Sequence, residues 1–494
     1  MLHNEAVPSP LFDNSYARLP EVFHAHAVPS SAPKPELVRL NAALCDFLGL
    51  DRAWLESPDG LAMLSGSRMP PGAEPIAMAY AGHQFGGWVP QLGDGRAALI
   101  GEVIGRDERR YDLHLKGSGR TRFSRGGDGK AVLGAVLREY VVSEAMAALG
   151  VPTTRALAAV TTNEPVQRDQ MEPGAVLTRV AQSHVRVGTF QYLAQRGNAS
   201  DVQRLADYVL ERHYPDAAQE DAPYRALFSE IAKRQADLVA HWMALGFIHG
   251  VMNTDNMQVV GETIDYGPCA FMDVFHPMKR FSSIDHGGRY AWGNQPTIAA
   301  WNLSRLAEAL LPLLGADEAA GIAWARAALD QFEARFHEQF TRRFNAKLGR
   351  QGSVDDDDFL GATFAALTEG QVDFTLFFRH LTQVASGESE AELKALFARP
   401  ALADEWLSRW RRCLDAEGGS DAERVTNMRA ENPIFVPRNH RVEQAIAAAR
   451  ADEYAPFHRL VDVLASPFDE QAQHADLEHA PAEHEVVTAT FCGT

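Results

Sequence analysis

The sequence predicts an α+β fold of two lobes, a small lobe that contains β-strands and a larger lobe that is mainly helical. Residues 75–195 are Gly-rich and contain short apolar or alternating runs, which are typical of strands and turns. Residues 200–440 instead repeat apolar side chains three and four positions apart, which is the spacing of buried helices. Only residues 249–271 interrupt that pattern, with short apolar pieces joined by turns. We therefore expect a sheet in the first half and a helical bundle in the second.

The small lobe is assigned to residues 73–195. Within it, residues 96–104 and 110–116 are predicted to form two strands joined by a polar turn. A helical period then begins at Val132 and ends before Gly150, with Pro152 closing the segment. Residues 1–72 are Pro-rich and irregular except for a predicted helix at 35–50, so they are interpreted as an extension that wraps the fold.

The large lobe is assigned to residues 196–440. Predicted helices cover residues 202–212, 224–245, 297–314, 317–348 and 390–414. Residues 441–494 are assigned to a C-terminal helix and an acidic tail that contains Cys492. Because the last twenty-five residues have few large apolar side chains, a mobile tail is expected there.

Composition excludes several classes of function. The 494 residues include 65 acidic and 47 basic side chains, for a formal charge of −18, which argues against a nucleic-acid polymer as partner. The four cysteines have neither disulfide-framework nor zinc-site spacing. No run of 18 apolar residues and no secretory signal are found, so no membrane partner and a cytoplasmic location are expected.

The most informative motif lies between the predicted helices. Residues 249–256 are His-Gly-Val-Met-Asn-Thr-Asp-Asn, and residues 265–267 are Asp-Tyr-Gly. Their lengths match the protein-kinase catalytic loop and the metal loop that follows it, so the α+β fold is predicted to be protein-kinase-like. Val251 stands where a kinase carries its catalytic-base Asp, and a valine cannot accept a proton. The motif therefore indicates a pseudokinase that retains a metal site, with a carboxylate moved to Asp255.

Three oxygen-bearing side chains of this motif are the candidate metal and catalytic groups. Asp255, Asn256 and Asp265 lie beside apolar runs, where a surface role is hard to explain. Carboxylate and amide oxygens are ligands that Mg²⁺ accepts in nucleotide sites. We therefore expect a divalent metal near Asp265.

A cluster of positive charge precedes this motif in the sequence. Lys116 ends a predicted strand and Glu139 lies in a predicted helix, which is the arrangement that positions a phosphate-binding lysine in kinases. Residues 116–138 contain six Lys or Arg and one acid, among Gly-rich turns whose backbone N–H groups could hold a polyphosphate. The alternative is a solvent-exposed basic loop.

Other single features leave their alternatives open. Arg179 and Arg186, seven positions apart, could project from one side of a helix toward a phosphate, but a surface face would have the same spacing. His83 and Gln84 lie in a Gly-rich turn, where a structural histidine is favoured over a catalytic one.

Four segments resemble the selenoprotein O family, which is also called YdiU. They are residues 12–20 (FDNSYARLP), 82–96 (GHQFGGWVPQLGDGR), 115–125 (LKGSGRTRFSR) and 249–256, with Asn432-Pro433 and Arg438-Asn439-His440 near the C-terminus. The resemblance therefore covers nearly the whole chain. It implies a kinase-like fold that binds ATP turned end for end and transfers AMP to protein hydroxyls. UMP transfer from UTP is also attributed to bacterial members of the family.

The resemblance also implies a role for individual residues. Asp255 would be the proton acceptor, Asn256 and Asp265 would bind Mg²⁺ or Mn²⁺, and Glu139 would position Lys116. The implied nucleotide contacts are Gly93, Gly95, Arg96, Lys116, Asp128, Gly129, Arg179, Arg186 and Asp265. Cys492 matches the Cys or selenocysteine of the family tail, but Phe281 stands where bacterial relatives carry a possible partner cysteine.

Three functions are weighed for this chain. The main hypothesis is a protein nucleotidyltransferase that transfers AMP from ATP to Ser, Thr or Tyr hydroxyls and releases pyrophosphate. The first alternative is a phosphotransferase that moves the γ-phosphate and uses Asp255 as its base. The second is an inert nucleotide-binding scaffold, which the retained Asp255, Asn256 and Asp265 disfavour.

Overall fold

A computed structural model describes residues 9–352 and 356–491 of the chain as a mixed α/β structure. The strands are β1 (His24–His26), β2 (Glu36–Leu40), β3 (Ile76–Met78), β4 (Gly82–Gln84), β5 (Gly87–Val89), β6 (Ala97–Ile104), β7 (Arg110–Lys116), β8 (Ala131–Val132), β9 (Arg155–Gln167), β10 (Met171–Ala181), β11 (Phe247–Ile248) and β12 (Ala270–Phe271).

Helices dominate the rest of the chain. They are α1 (Ala42–Leu48), α2 (Arg52–Glu56), α3 (Pro58–Leu64), α4 (Leu133–Ala148), α5 (Val187–Gln195), α6 (Ala199–His213), α7 (Pro223–Ala244), α8 (Gln295–Leu314), α9 (Glu318–Lys347), α10 (Asp356–Gly370), α11 (Phe374–Ala385), α12 (Ala391–Ala395), α13 (Pro400–Glu417), α14 (Asp421–Glu431), α15 (Asn439–Ala449) and α16 (Ala455–Leu464).

The main sheet is antiparallel, and its path runs β1-β3-β6-β7-β10-β9-β2, with β8 paired to β10. Strand β7 therefore lies inside the sheet, where Lys116 is paired with Ala97 on one side and Leu177 on the other. Because both neighbours fix the backbone at the end of β7, the side chain of Lys116 starts from a rigid position.

Helix α4 packs against β9 and β10, and its far side is covered by α15 and α16. Apolar side chains recur along α4 at helical spacing, and Leu137, Tyr140 and Val141 are all buried in one cluster with Phe457 of α16. This burial on two sides holds α4 in place, since each fully buried large apolar side chain contributes about 1.5–3 kcal/mol.

The helical part is built around α7, α8 and α9, which pack on one another. The short strands β11 and β12 pair beside them and bracket residues 249–269, which contain the His249–Asn256 and Asp265–Gly267 motifs. Strands and buried helices therefore hold both loops at their ends.

Most predicted elements are present, and three expectations are wrong. The helix predicted at 35–50 is instead strand β2 followed by α1, because residues 36–40 pair with β9 and Asn41 caps the helix at Leu44. The helix predicted at 390–414 is divided into α12 and α13, since Pro400 cannot continue a helix and begins a new one.

The third error concerns the tail expected to be mobile. Thr490 is buried and forms backbone hydrogen bonds with Phe281 (2.7 Å) and Ser283 (3.0 Å). Its Oγ1 also donates to the carbonyl of Pro268 at 2.6 Å. The tail is thus bound to the body of the fold at Thr490, whereas Cys492 lies outside the described residues.

The C-terminal motif residues have structural contacts. Arg438 is 2% exposed and binds Asp273 at 2.6 Å and Asp373 at 2.9 Å, while Asn432 donates to Lys347 O and Thr382 Oγ1, both at 2.9 Å. These bonds join α9, α11 and the start of α15.

Across the residues that the structure describes, no helix combines the length and the apolar character needed to cross a bilayer.

Candidate active site

A cavity of about 620 Å³ lies between the main sheet and the loops that follow β11. Eleven of the twelve site residues predicted from the sequence line it, and the twelfth, Glu139, lies directly behind Lys116. The residues that line the cavity are Gly93, Gly95, Arg96, Lys116, Asp128, Gly129, Arg179, Arg186, Asp255, Asn256 and Asp265. Its volume is in the range of cavities that hold cofactor-sized ligands.

Asp265 binds three cationic side chains at the centre of the cavity. Its Oδ1 accepts from Lys116 Nζ at 2.8 Å and from Arg179 Nη2 at 2.6 Å, and its Oδ2 accepts from Arg186 Nη1 at 3.1 Å. Lys116 comes from β7, Arg179 from β10 and Arg186 from the start of α5. The carboxylate thus joins the sheet to the helical part of the molecule.

Glu139 holds two of these cations from the other side. Its Oε2 accepts from Lys116 Nζ at 2.5 Å, and its Oε1 accepts from Arg179 Nε at 2.8 Å and Nη2 at 2.5 Å. The side chain of Glu139 is only 4% exposed. Because α4 is fixed by packing, Glu139 positions both Lys116 and Arg179.

The charges of this network keep its carboxylates ionised. Burial would raise the pKa of Asp265, but the positive charges of Lys116, Arg179 and Arg186 outweigh it and hold the pKa well below its usual range. Burial opposes ionisation of Glu139 too, yet Arg179 and Lys116 lower its pKa. Asp265 also has a left-handed backbone with φ 63°, which Asp tolerates better than most residues.

Asp255 is held by a residue that is distant in sequence. Gln84 of strand β4 donates from Nε2 to Asp255 Oδ2 at 3.1 Å, and the other carboxylate oxygen has no hydrogen-bond partner among the described residues. Burial raises the pKa of Asp255 to about 6, although Arg186 and the Gln84 hydrogen bond lower it. A buried carboxyl group with unused acceptor capacity and a raised pKa suits a proton acceptor.

Glycine at position 82 permits this approach. A Cβ placed on Gly82 would lie 2.6 Å from Asp255 Oδ1, closer than real contacts allow. The β4–β5 hairpin is fixed further by His83 N, which donates to Thr254 Oγ1 at 2.7 Å, and by Phe85 N, which donates to Asn253 Oδ1 at 3.0 Å. The hairpin therefore covers the loop that carries Asp255.

Asn256 and Asp265 are the candidate metal ligands of the cavity. Asn256 Nδ2 donates to Val251 O at 3.0 Å, which turns its amide nitrogen toward the backbone and leaves its oxygen for another partner. Asp265 is ionised, and both residues line the same cavity. Within the described residues there is no cluster of three or more His, Cys, Asp or Glu that could hold a metal. Two oxygen ligands fit an ion such as Mg²⁺ that takes its remaining ligands from phosphates and water.

The Gly-rich loop before β8 forms another wall of the cavity. Asp128 accepts from Arg168 Nη1 at 2.8 Å and Nη2 at 3.2 Å, and Arg168 Nη2 also donates to Lys130 O at 2.9 Å. Gly129 has φ 72°, and a Cβ there would lie 2.1 Å from Gly119 O, so only glycine fits. This loop is tied to the β9–β10 turn by the paired charges of Asp128 and Arg168.

Gly93, Gly95 and Arg96 lie in the turn before β6. Ser124 Oγ donates to the carbonyl of Gly95 at 2.5 Å, which fastens that turn to the Gly-rich loop. A Cβ on Gly93 would lie 2.5 Å from the ring of Phe123. The close packing of these two segments shapes the edge of the cavity.

The predicted basic cluster is only partly in the cavity. Lys116, Arg125 and Lys130 line it, and Lys130 also binds Glu164. Arg138 does not belong to the cluster, because it points to the opposite side of α4 and binds Glu443 of α15. Seven Lys or Arg and four Asp line the cavity in total, a local excess of positive charge in an acidic protein.

Arg179 and Arg186 meet in the cavity, but they do not project from one helix, which was one of the two possibilities that their spacing left open. Arg179 lies on β10, and Arg186 precedes the first turn of α5. Arg186 is further held by the backbone carbonyl of Asp255 at 2.6 Å, by Asp94 Oδ1 at 3.8 Å, and by the ring of Tyr80, whose centroid lies 4.5 Å from its guanidinium carbon. Tertiary structure, not helical spacing, brings the two arginines together.

A buried polar chain leads away from the cavity. Asp94 Oδ2 contacts His114 Nε2 at 3.2 Å, and the His114 ring stacks on His184 with centroids 4.2 Å apart. His184 Nδ1 contacts Asp112 Oδ2 at 2.9 Å, and Asp112 Oδ1 accepts from Arg212 at 2.7 Å. Burial and the nearby His114 lower the pKa of His184 well below its usual range, so its ring is neutral.

Sequence reasoning passed over several residues of this site. Gln84, Tyr80, Asp94 and Arg168 line the cavity but are not among the site residues that the sequence predicts. Asp94 stands between Gly93 and Gly95, and an acidic residue between two glycines predicted to contact the nucleotide was the signal available in the sequence. His83 is half-buried and hydrogen-bonded to Gln191 at 3.0 Å, as a structural histidine would be.

Comparisons with known proteins match the chain over most of its length. A family model described as "Protein adenylyltransferase SelO" matches residues 9–465. A protein named protein nucleotidyltransferase YdiU from Rhodopseudomonas palustris strain BisB5 is 58% identical over 486 residues, which cover 98% of this chain and 99% of the relative. Proteins of the same name from Nitrobacter hamburgensis and Methylorubrum populi are 55% identical over 493 residues and 56% identical over 492 residues. These alignments cover 99% and 98% of this chain, and 97% and 99% of the respective relatives.

Proposed function

Because the chain belongs to the SelO family of protein adenylyltransferases, we propose that its cavity binds ATP and passes AMP to hydroxyl groups of other proteins. The chain is a nucleotidyltransferase that acts on proteins. The acceptors are Ser, Thr and Tyr side chains, and UTP serves as an alternative donor of UMP. One observation carries the assignment: Asp255 stands beside Asn256 in the cavity that holds Lys116 and Asp265, whereas the kinase base position is Val251.

The proposed fold is protein-kinase-like and bilobal. Strands β3 to β10 with α4 and α5 are the small lobe, and α6 to α14 with the two motif loops make up the large lobe. The Lys116–Glu139 pair supports this proposal, since it joins an inner strand to the helix behind it as the phosphate-positioning pair of kinases does. The predicted boundaries at residues 73, 196 and 441 belong to the same proposal.

The proposed nucleotide orientation is reversed relative to a kinase. Arg96, Arg125, Lys130 and Arg168 provide cationic groups around the Gly-rich loop, where the γ-phosphate would be buried. The α-phosphorus then faces Asp255 and the acceptor protein. Guanidinium groups suit this role because their planar donors bind phosphate oxygens in pairs.

The metal ion in this proposal is Mg²⁺ or Mn²⁺. Asn256 and Asp265 would hold it, and when bound it would neutralise the negative charge of the phosphates and favour departure of pyrophosphate. Lys116 and Arg179, fixed by Glu139, hold Asp265 in position from the sheet side.

The proposed reaction forms one bond and breaks one. Asp255 accepts the proton of the acceptor hydroxyl, whose oxygen attacks the α-phosphorus. The bond between that phosphorus and the oxygen leading to the β-phosphate breaks, and pyrophosphate leaves. The negative charge that develops on the leaving group is stabilised by the cationic side chains fixed around it.

Transfer of the γ-phosphate is the competing possibility, and Val251 disfavours it. ATP labelled on the α- or the γ-phosphate separates the two when incubated with the protein, Mg²⁺ or Mn²⁺ and a mixture of acceptor proteins. Label is expected in protein only from the α-position, and Asp255→Asn should abolish it. Label from the γ-position alone would overturn the proposal, and no label from either under both metals would indicate an inert scaffold.

A further inference from the structure

A second cavity, of about 1050 Å³, shares no lining residue with the nucleotide cavity. Its walls come from the β6–β7 turn and from helices α6, α7 and α9. Their charged side chains include Arg110, Arg212, Arg234 and Arg343. Neither the family resemblance nor the proposed reaction assigns a role to this space.

The second cavity has an excess of positive charge. Six arginines line it, against four acidic side chains, in a chain whose formal charge is −18. One of the four acids is Glu262, and burial raises its pKa to about 8, so it is uncharged at neutral pH. Positive charge concentrated in a concave surface of an acidic protein calls for an anionic partner.

The cations differ in how well the protein pairs them. The Nη atoms of Arg212 are bound by Asp112 at 2.7 Å and by the hydroxyl of Tyr208 at 2.6 Å. Arg234 donates only to backbone carbonyls, at 3.3 and 3.5 Å, lies over the ring of Tyr214 and forms no salt bridge with any described residue. Arg343 forms a long ion pair with Glu431, at 3.7 Å. Two guanidinium groups of α7 and α9 therefore lack close counter-charges.

Buried hydrogen-bond donors without partners also indicate that this cavity binds a ligand. His213 Nε2, Arg212 Nε and Arg343 Nε are buried and have no hydrogen-bond partner among the residues that the structure describes. Such groups cost free energy unless a ligand or water satisfies them. His241 also lines this space, and burial together with Arg343 lowers its pKa to about 3, so a neutral imidazole stands beside the arginines.

We propose that this second cavity is a binding site for a small molecule that carries phosphate groups, held chiefly by Arg234 and Arg343. Planar guanidinium donors and neutral imidazoles match the several acceptor oxygens of a phosphate. The cavity has a volume of about 1050 Å³, so a compact ligand fits better than an extended polyanion. This site does not depend on the proposed reaction.

Pyrophosphate is the probe for a first test. Titration calorimetry measures its binding to the full chain while a non-hydrolysable ATP analogue and Mg²⁺ saturate the nucleotide cavity. The wild-type protein is expected to bind one pyrophosphate under these conditions. The double variant Arg234→Gln/Arg343→Gln should bind it at least about tenfold more weakly, as expected when charge-assisted hydrogen bonds are lost. Arg326→Gln, an exposed arginine on the same helix α9, is the matched control and should change nothing.

Two results would contradict the proposed binding site. One is no pyrophosphate binding to the wild-type protein at millimolar concentration once the nucleotide cavity is filled. The other is equal affinity in the folded double variant. Circular dichroism checks folding of the variants.

Hydrogen exchange tests the proposal on the wild-type protein, so a folding defect of a variant cannot affect the result. Hydrogen exchange of α7 and α9 in the wild-type protein should slow on adding pyrophosphate to the nucleotide-saturated protein. Unchanged exchange in both helices would contradict the proposal.

Discussion

Gln84 Nε2 donates a hydrogen bond to Asp255 Oδ2 at 3.1 Å, across 171 positions of sequence. The bond fixes one oxygen of the carboxylate and leaves the other without a hydrogen-bond partner among the described residues. The uncharged side chain of Gln84, in the β4–β5 hairpin, thereby positions Asp255, the proposed proton acceptor.

Gln84→Leu should lower the rate of AMP transfer while the KM for ATP stays nearly constant. The reason is that Gln84 acts by orienting Asp255, and misplacing an acid–base group costs on the order of 10- to 100-fold. Steady-state kinetics with labelled ATP measure both parameters. Gln203→Leu, a substitution at an exposed position of α6, is the control. A rise in KM with an unchanged rate would assign Gln84 to nucleotide binding instead.

Asp265→Asn should reduce transfer by about 100-fold or more and remove metal-dependent nucleotide binding. Asparagine suits the test because it keeps the shape and tolerates the left-handed backbone at this position. Three cations lose their common counter-charge, so unfolding free energy should fall by about 2 kcal/mol. Calorimetry with and without EDTA, and thermal unfolding, measure these effects. Asp330→Asn, at an exposed position of α9, is the control. Metal-dependent nucleotide binding retained in Asp265→Asn would exclude Asp265 from the proposed metal site.

Arg168→Gln should raise the KM for ATP about tenfold with a smaller effect on the rate. Without Arg168, the carboxylate of Asp128 faces the cavity unpaired and repels phosphate, and the Gly-rich loop loses its bonds to the β9–β10 turn. Kinetics at varied ATP concentration test this. The exposed Arg204 of α6 supplies the control variant Arg204→Gln. An unchanged KM would show that this end of the cavity does not contact the nucleotide.

Lys347→Met should stabilise the protein at neutral and low pH. Burial lowers the pKa of Lys347 from 10.5 to about 7, so the folded state disfavours its charged form. Stability contributed by the neutral amine is present above pH 10.5 and is lost as pH falls to 7. The variant should therefore gain about 2 kcal/mol at pH 7 and below, and the gain should shrink toward pH 10.

Denaturant unfolding at pH 6, 7, 8.5 and 10 measures this difference. Lys394→Met provides the control, because Lys394 is partly exposed and paired with Glu390 and Asp404. A pH-independent difference between Lys347→Met and the wild-type protein would refute the explanation.

Local patterns in the sequence predicted the strands and helices whose apolar side chains repeat with the period of the element and are buried in the core. Strands β6 and β7, helix α4 and the long helices α7 to α9 follow from apolar periodicity. Residues 36–40 were misassigned as helix because pairing with β9 overrides local propensity. The seven-residue spacing of Arg179 and Arg186 is compatible with one helix face. It does not show that a turn separates a strand from a helix between the two residues.

The residues of the candidate site also fall into two groups: those that local sequence motifs predict and those whose contacts form only in the folded chain. Contiguous motifs predicted Asp255, Asn256 and Asp265 as site residues, and the predicted kinase-like order of elements suggested Lys116 with Glu139. Gln84 and Arg168 could not be found by that route, because their partners lie 171 and 40 positions away and meet only after folding. Arg138 was wrongly included since sequence does not show which side of α4 its side chain occupies.

The stacked imidazoles of His114 and His184 lie midway along a continuous row of contacts that starts at Arg186 in one cavity and ends at Arg212 in the other. Thermodynamic linkage makes any influence along that row symmetric: the factor by which an occupant of one end changes affinity at the other must equal the factor in the reverse direction. Titrating either ligand in the presence of the other would therefore yield a single coupling free energy, and disagreement between the two titrations would mean that a third equilibrium intervenes.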